Sequence, residues 1–512
     1  MKDFIENLED TLDDEFNVSV TENGAVGFRT SGKALLDLNF EVSSLRRSNA
    51  AGIIEEYKKA FYADKEYAIK WLFFAGDVRC GMGERKLFRA CMRFLAESEP
   101  EIATALLPFV PEYTRWDALA CLVASPVGDK AAQIIADRLA EDVQNKAKRK
   151  PVSLCAKWMP SVNASSKEAR SLARTICGRL KMTAKQYRTV LAELRAYLDV
   201  TEVKMSRGDW AKIKYSAVPS RANLIYNGAF LRHDEQRRRK YLESVKKGEE
   251  KINSGVLYPH DIVHKYIGAF GTPKPTDDTL EELWKALPDY VNGRGGTLCV
   301  ADGSGSMCYA SIGSARVTPL AVANALAVYF AERCTGEFKD KYITFSEHPQ
   351  LVDFSHCKTL HDKLGVALAH NEVANTNVEA VFDLILATAV KHKMPQSDMP
   401  KTVLVLSDME FDSCAHSADG KALQPRLFEV ISARYEANGY KLPRLVFWNI
   451  GSRTCTVPIR ENALGVALVS GFSPAITDMV LANELDPFVC LQKQLDVPRY
   501  QTVFDAVKPL LL

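Results

Sequence analysis

Five short runs in the second half of the chain, TLCVAD, DKYITFSE, KTVLVLSDM, LPRLVFWNI and ALVSGF, are apolar at nearly every position. A strand with one wet face alternates polar and apolar residues, whereas a strand apolar throughout has to be covered on both faces. Between the runs lie TPLAVANALAVYFAERC, NVEAVFDLILATAVKHK and LQPRLFEVISARYEANGY, each long and periodic enough to be a helix. Strand and helix in alternation predict a doubly wound parallel sheet, which places its ligand site beyond the carboxyl ends of its strands.

Upstream the pattern changes. From about Arg46 to Tyr290 apolar residues recur at helical spacing, in IIEEYKKAFY, AIKWLFFAG, KLFRACMRFLA, AAQIIADRLAEDV, EARSLARTICGRL, AKQYRTVLAELRAYL, RANLIYNGAFL and RRKYLESVKK. Paired helices with few strands predict an α-helical, HEAT-like array, although no repeat of fixed period marks it. The prolines and glycines of GTPKPTDDTLEELWKALPDYVNGRGG separate the two patterns. The expected class is therefore α + α/β, divided into a polar segment 1–45, a helical domain 46–292 and a sheet domain 293–512.

At 512 residues the chain is too long for one ordinary core, and no stretch approaches the roughly 20 apolar residues of a membrane span. The acidic opening MKDFIENLEDTLDDEF does not read as a targeting peptide, so a cytoplasmic protein without membrane contact is expected, working as a monomer. The 12 cysteines are scattered without a CxxC pair and read as reduced thiols. His356, Cys357 and His361 in FSHCKTLHDKL lack a second ligand pair at zinc spacing and read as incidental.

The net charge of +2 hides a separation: Lys146 to His260 holds 26 Lys and Arg against 10 Asp and Glu, a net of +16 that leaves −14 on the remainder. So local an excess points to a polyanionic partner, although a solvated set of helix faces would also show it.

The loop VADGSGSMCYA, Val300 to Ala310, follows the first apolar strand directly. It lies inside the repeating unit, which argues against a linker. It has neither the GxxxxGK[ST] of a phosphate loop nor the third glycine of GxGxxG, and Asp302 stands where a nucleophile elbow GxSxG needs glycine. A phosphoaspartate enzyme would want a second acid where Ser304 stands. A hard divalent cation fits better: Asp302, Ser304 and Ser306 alternate, so three oxygens can face one point while the glycines allow a tight path. Asn375, Thr376 and Asn377 precede a helix, where Thr376 is either a further ligand or an N-cap. Asp408 in LVLSDMEFD ends a later strand as a ligand or a turn acid. Asp412 and His416 follow it in what reads as a solvated loop.

The pattern DxSxS, a threonine loop and a strand-ending aspartate resembles the von Willebrand factor A domain with its metal-ion-dependent adhesion site. The resemblance implies that Asp302, Ser304, Ser306, Thr376 and Asp408 bind Mg²⁺, or Mn²⁺ or Ca²⁺, with a position left for an acidic protein side chain or a phosphate. GDVRCGMGERKLFRACMRFLA, AKWMPSVNASSKEARSLARTICGRL and VPSRANLIYNGAFLRHDEQRRRKYLESVKKGEEKINSGVLYPHDIV resemble the DUF2828 family, whose members join a helical region to an A-type domain. More distantly, the architecture and a GxGxR-like stretch at Gly81, Gly83 and Arg85 are similar to the Ro ribonucleoprotein, or TROVE, family. That likeness implies a TROVE-like helical array closed by the A-type domain and binding small structured or single-stranded RNA.

The candidate RNA-binding residues are Arg79, Arg85, Lys86, Lys157, Arg170, Arg174, Arg221, Arg232, Arg237, Arg238 and Arg239. Such cations would neutralise phosphates without reading sequence. Tyr187, Tyr197, Trp210, Tyr215, Tyr226 and Tyr241 could stack on bases, but their helical spacing favours core packing. No catalytic constellation stands beside the metal motif, so an enzyme is not expected. The readings are an RNA-binding protein, a metal-dependent protein-docking scaffold and, least supported, a Mg²⁺-dependent hydrolase.

Overall fold

The computed structural model describes residues 17–20, 26–267, 273–309, 317–346, 348–371, 378–410, 427–453, 457, 466–471, 473, 476–477, 480 and 486–511. Two compact units emerge, one from Met1–Asn49 and Leu257–Gln494, the other from Ala50–Val256 and Leu495–Leu512. These divisions differ from the boundaries expected at residues 45 and 292.

The first unit holds a six-stranded sheet of β3 (Thr297–Asp302), β4 (Lys341–Phe345), β5 (Leu351–Asp353), β6 (Thr402–Ser407), β7 (Arg444–Asn449) and β8 (Val466–Ser470), in the order β5-β4-β3-β6-β7-β8. All neighbours are parallel except β4 and β5. Every residue of β3, β6 and β7 is buried, which is why their sequences do not alternate. The helix Pro319–Arg333 is apolar all round and packs on β3, β4 and β6. Its first turn is set by Thr318, whose hydroxyl accepts from Ala321 N at 3.2 Å, and by proline at the first position.

Both flanks of the sheet come from places the boundaries did not anticipate. The short hairpin of β1 (Val18–Val20) and β2 (Val26–Phe28) precedes a helix Ala34–Phe40 that packs against β8. Ser43 N donates to Ser470 Oγ at 3.1 Å, its hydroxyl donates to Asn449 Oδ1 at 3.0 Å, and Asn449 Nδ2 donates to Phe40 O at 2.9 Å. On the other flank Glu281, buried, accepts from Leu360 N, His361 N and Tyr266 Oη at 2.8, 3.0 and 2.7 Å. Residues 257–292 therefore belong to the sheet rather than to the helical array.

The second unit is helical among its described residues. Tyr57, Phe61, Trp71 and Phe94 interlock at its start, with ring centroids 5.9–6.4 Å apart. The last helix, Pro498–Asp505, docks on Lys65–Gly76. There Arg499 grips the wholly buried carboxylate of Asp77 at 2.5 and 3.2 Å, and Asp496 meets the buried ammonium of Lys70 at 2.8 Å. The glycines of GDVRCGMGER serve this packing: a Cβ on Gly81 would sit 2.0 Å from Phe74 O, and Gly83 turns through φ +70° before Arg85 starts the helix Arg85–Ser98. The long helix Ser220–Lys246 is interrupted at Asp234, which has φ −151° and accepts from Tyr215 Oη at 3.0 Å.

Candidate functional site

In an open sheet the strand order reverses at one place, and here that switch lies between β3 and β6. Ala301 pairs with Leu406, so the next residues, Asp302 and Ser407, end the two strands side by side. Asp302 Oδ2 accepts from Ser407 Oγ at 2.6 Å and its Oδ1 from Ser304 N at 2.9 Å, while the hydroxyls of Ser304 and Ser306 stand 3.0 Å apart. Asp408 is buried beside them and accepts from Glu410 N at 3.3 Å, and the neighbouring Ser306 hydroxyl favours its ionised form. Four of the five expected metal residues are thus gathered at one sheet edge. Thr376, with Asn375, Asn377, Asp412 and His416, lies outside the described residues.

The electrostatics of this edge are unfavourable as it stands. Burial, then the charge of Asp408, pushes the Asp302 carboxyl up to about 7, and burial likewise raises Asp408. Asp408 Oδ2 is buried without a hydrogen-bond donor among the described residues, and the guanidinium of Arg453 approaches it only to 3.6 Å. Met409 between Asp408 and Glu410 is held at φ +63°, a conformation that a side chain of its size rarely adopts. Two carboxylates, one of them with an orphaned oxygen, and two hydroxyls make an all-oxygen donor set suited to a hard cation.

Sequence reasoning did not find three residues here. Ser407 orients Asp302 from the neighbouring strand. Glu410, buried, accepts from Ser452 Oγ at 3.2 Å and from Arg453 N at 2.5 Å, and so pins the segment carrying Arg453. Asn371 lies against Gly303, where a Cβ would meet Asn371 Oδ1 at 3.0 Å. Only Ser407 had a signal, its place directly before the strand-ending aspartate.

The expected RNA-binding residues divide in the helical unit. Arg238 is a correction: it is wholly buried, donates to Asn223 Oδ1 at 3.0 Å and to Asn227 Oδ1 at 3.4 Å, and lies among the rings of Tyr215, Phe230 and Tyr241 at 5.1–5.4 Å. It is a core residue because it falls at helical spacing with the buried Asn227, Phe230, Tyr241 and Leu242. Arg237 is exposed yet bonds Trp210 O, Ile213 O and Asp234, and Arg239 pairs with Glu235 one turn away. Arg170 braces the carbonyls of Ala164 and Ser165, and Arg79 that of Glu112. Arg174 and Arg232 are exposed. Among the aromatics, Tyr187, Tyr215 and Tyr241 are buried, and Trp210 stacks on His233 with centroids 4.3 Å apart.

Arg221 lies within electrostatic range of Arg85, with Lys86 beside Arg85 in the chain. Around Arg85 stand Arg115, Arg221 and Arg89. Burial of its guanidinium, then the charge of Arg115, lowers its proton affinity, although the residue as a whole is exposed. Asp117 is the carboxylate facing them, paired with Arg89 at 2.7 Å and Arg115 at 2.5 Å. Arg115 lies flat on Trp158, 3.9 Å from the ring centroid, with Lys157 at 5.7 Å from the same ring. Arg89 Nε is buried without an acceptor among the described residues. Arg89 and Arg115 were missed because they lie outside both the GxGxR-like stretch and the basic stretch; the i, i+4 spacing of Arg85 and Arg89 was the available signal.

Among known proteins, the family described as Domain of unknown function (DUF2828) matches residues 21–113 and 127–292, and that described as Domain of unknown function (DUF7788) matches residues 296–493. The Uncharacterized protein L728 of Acanthamoeba polyphaga mimivirus is 30% identical over 520 residues, covering 94% of this chain and 87% of that protein. A crystal structure of the Deinococcus radiodurans RO (RSR) protein superposes with a TM-score of 0.41 at 15% identity, covering 86% of this chain and 92% of that one. No helix among the described residues is long and apolar enough to cross a membrane.

Proposed function

The chain belongs to the DUF2828 family, and on that footing we propose that it is an RNA-binding protein whose helical unit holds phosphates and whose sheet unit carries a divalent-cation site of the von Willebrand A kind. One observation carries the RNA reading: Arg89, Arg115 and Arg221 lie within electrostatic range of the Arg85 guanidinium, the four coming from three separate stretches of sequence, and Arg89 and Arg115 share the carboxylate of Asp117. Like charges do not collect without a reason, and a polyanion supplies one. The Trp158 ring under Arg115 adds the aromatic surface common in sites for single strands.

At the sheet edge Asp302, Ser304, Ser306 and Asp408, with Thr376, would hold Mg²⁺, Mn²⁺ or Ca²⁺. The ion would supply a positive centre for an anionic group of a partner. The orphaned Asp408 Oδ2 and the two raised carboxyls support this assignment. On this reading the ion serves recognition of that anionic group rather than hydrolysis.

Fluorescence anisotropy with labelled single-stranded and hairpin RNA, across a series of salt concentrations, tests the first part. The double variant Arg85→Glu, Arg221→Glu should bind much more weakly, and losing two phosphate contacts should flatten the logarithmic salt dependence by about 1.5. Absence of binding at low salt, or an unchanged slope in the variant, overturns the RNA reading. Calorimetric titration with Mg²⁺ tests the second part, with Asp302→Ala losing the heat that the wild type gives.

A further inference from the structure

A second place in the helical unit gathers guanidinium groups, this time around a cavity. Between the segment Met159–Asn163 and the helix Ala184–Tyr197 lies a space of about 170 Å³, lined by Ser161, Val162, Tyr187, Arg188, Leu191 and Arg195 among others. At roughly 30 Å³ for each water, it holds a group the size of a phosphate with part of the sugar attached.

Its walls are fixed in advance. Tyr187 Oη donates to Pro160 O at 3.0 Å, while Arg195 donates to Ala156 O at 2.8 Å and to Met159 O at 2.7 Å. Arg170 holds the far end of the same segment through Ala164 O and Ser165 O, both at 2.7 Å. A wall already ordered loses little entropy when a ligand arrives. The charge inside is one-sided: burial lowers the proton affinity of Arg195, and no carboxylate opposes that shift. Arg188, two turns earlier on the same helix, also lines the cavity. The one acid on the neighbouring turn, Glu193, is taken by Lys146 at 2.7 Å.

Arg188, Arg195 and Ser161 line one cavity together with the apolar Val162 and Leu191, and that mixture of cationic, hydroxyl and apolar residues matches a phosphomonoester carried on a sugar. We propose that this cavity binds a terminal phosphate, either of a mononucleotide or of an RNA end. The RNA arm rests on the function proposed above; the mononucleotide arm does not. A phosphodiester within a chain has one charge fewer and two substituents, so the cavity distinguishes ends from interiors.

The test uses the full chain and three probes: inorganic phosphate, adenosine 5′-monophosphate, and a single-stranded RNA made with 5′-phosphate, 3′-phosphate or hydroxyl ends. Calorimetry follows the first two, anisotropy the third. Wild type should bind one phosphorylated RNA about tenfold tighter than the hydroxyl-ended form, and Arg188→Ala should abolish that preference while leaving hydroxyl-ended RNA unaffected. If only a mononucleotide is the ligand, adenosine 5′-monophosphate binds wild type and its affinity drops about tenfold in Arg188→Ala, with the RNA forms indistinguishable. Arg188 is exposed, so the variant keeps its fold, which circular dichroism checks. RNA binding without preference for an end, together with no heat from phosphate or mononucleotide, overturns this inference and leaves the RNA reading standing. A preference that survives in Arg188→Ala overturns it as well. Failure of every RNA to bind, with mononucleotide bound through Arg188, removes the RNA reading and keeps this one.

Discussion

Asp302→Asn probes the cation site through stability. Burial and the charge of Asp408 lift the Asp302 carboxyl from its ordinary 3.8 to about 7. Such a group holds its proton more tightly folded than unfolded, so across the window from about pH 4 to about pH 7 the folded state binds the extra proton and stability falls as pH rises. At about 1.4 kcal/mol for each tenfold in proton affinity, the ionised carboxylate destabilises the metal-free protein by about 4 kcal/mol above pH 7 and by nothing below pH 4. Asparagine carries no such charge, can still accept from Ser304 N, and meets a Ser407 hydroxyl that can turn to accept. Metal-free Asp302→Asn should therefore match wild type near pH 4 and exceed it by several kcal/mol near pH 8. Magnesium should reverse the order near pH 8, stabilising wild type and leaving the variant unmoved. A chain with two units does not unfold in one step, so amide hydrogen exchange in β3 and β6, with chelator and with Mg²⁺, is the assay that reads local stability. The reasoning is refuted if the variant is the less protected near pH 8 in chelator, or if Mg²⁺ protects both alike.

Arg499→Ala leaves the Asp77 carboxylate wholly buried with its countercharge gone, and should lower the stability of the helical unit by about 3 kcal/mol. Exchange in the helix Lys65–Gly76 reads that loss, and Asp77→Asn in the same chain should recover part of it; no change in exchange would mean that the last helix is not docked. Arg238→Met should cost the helical unit about 2 kcal/mol, since Asn223 and Asn227 lose their buried donor, yet leave the RNA affinity of the folded protein unaltered. A well-folded variant with weakened RNA binding would return Arg238 to the interface.

The sheet was legible because each central strand is buried on both faces and so is apolar through its middle, with polar residues only at its ends: TLCVAD and LVFWN read as strands on sight. The edge strand Leu351–Asp353 was not, being three residues long with two of them exposed. Asp302, Ser304, Ser306 and Asp408 were legible because a turn brings alternate residues together and parallel register brings strand ends together; both are local rules. Glu410, Asn371 and the Arg85 cluster were not, since they depend on which loops and helices approach one another in space. Arg238 misled for the same reason. Its neighbours Arg237 and Arg239 are exposed, and Arg238 alone of the three shares the helix face of the buried Asn227, Phe230, Tyr241 and Leu242. The expected boundaries differ from the compact units because composition marks where a pattern changes, while the contacts of Ser43 and Glu281 tie polar flanking segments to the sheet unit.

The alternation of the two units along the chain sets a timetable. Asn449 closes on Phe40 across 409 residues, and at about 5–20 residues per second of synthesis the segment after β2 waits roughly 20 to 80 seconds for its partner strands. During that interval the helical unit is made almost whole, lacking only its final clasp at Arg499, while Leu35, Leu36, Leu38 and Phe40 have no sheet to cover them. The nascent chain thus carries an unburied apolar helix near its start for nearly its entire birth. A circular permutant that begins at residue 50 and joins residues 1–49 after residue 512 would bring that helix off the ribosome after its sheet rather than far ahead of it.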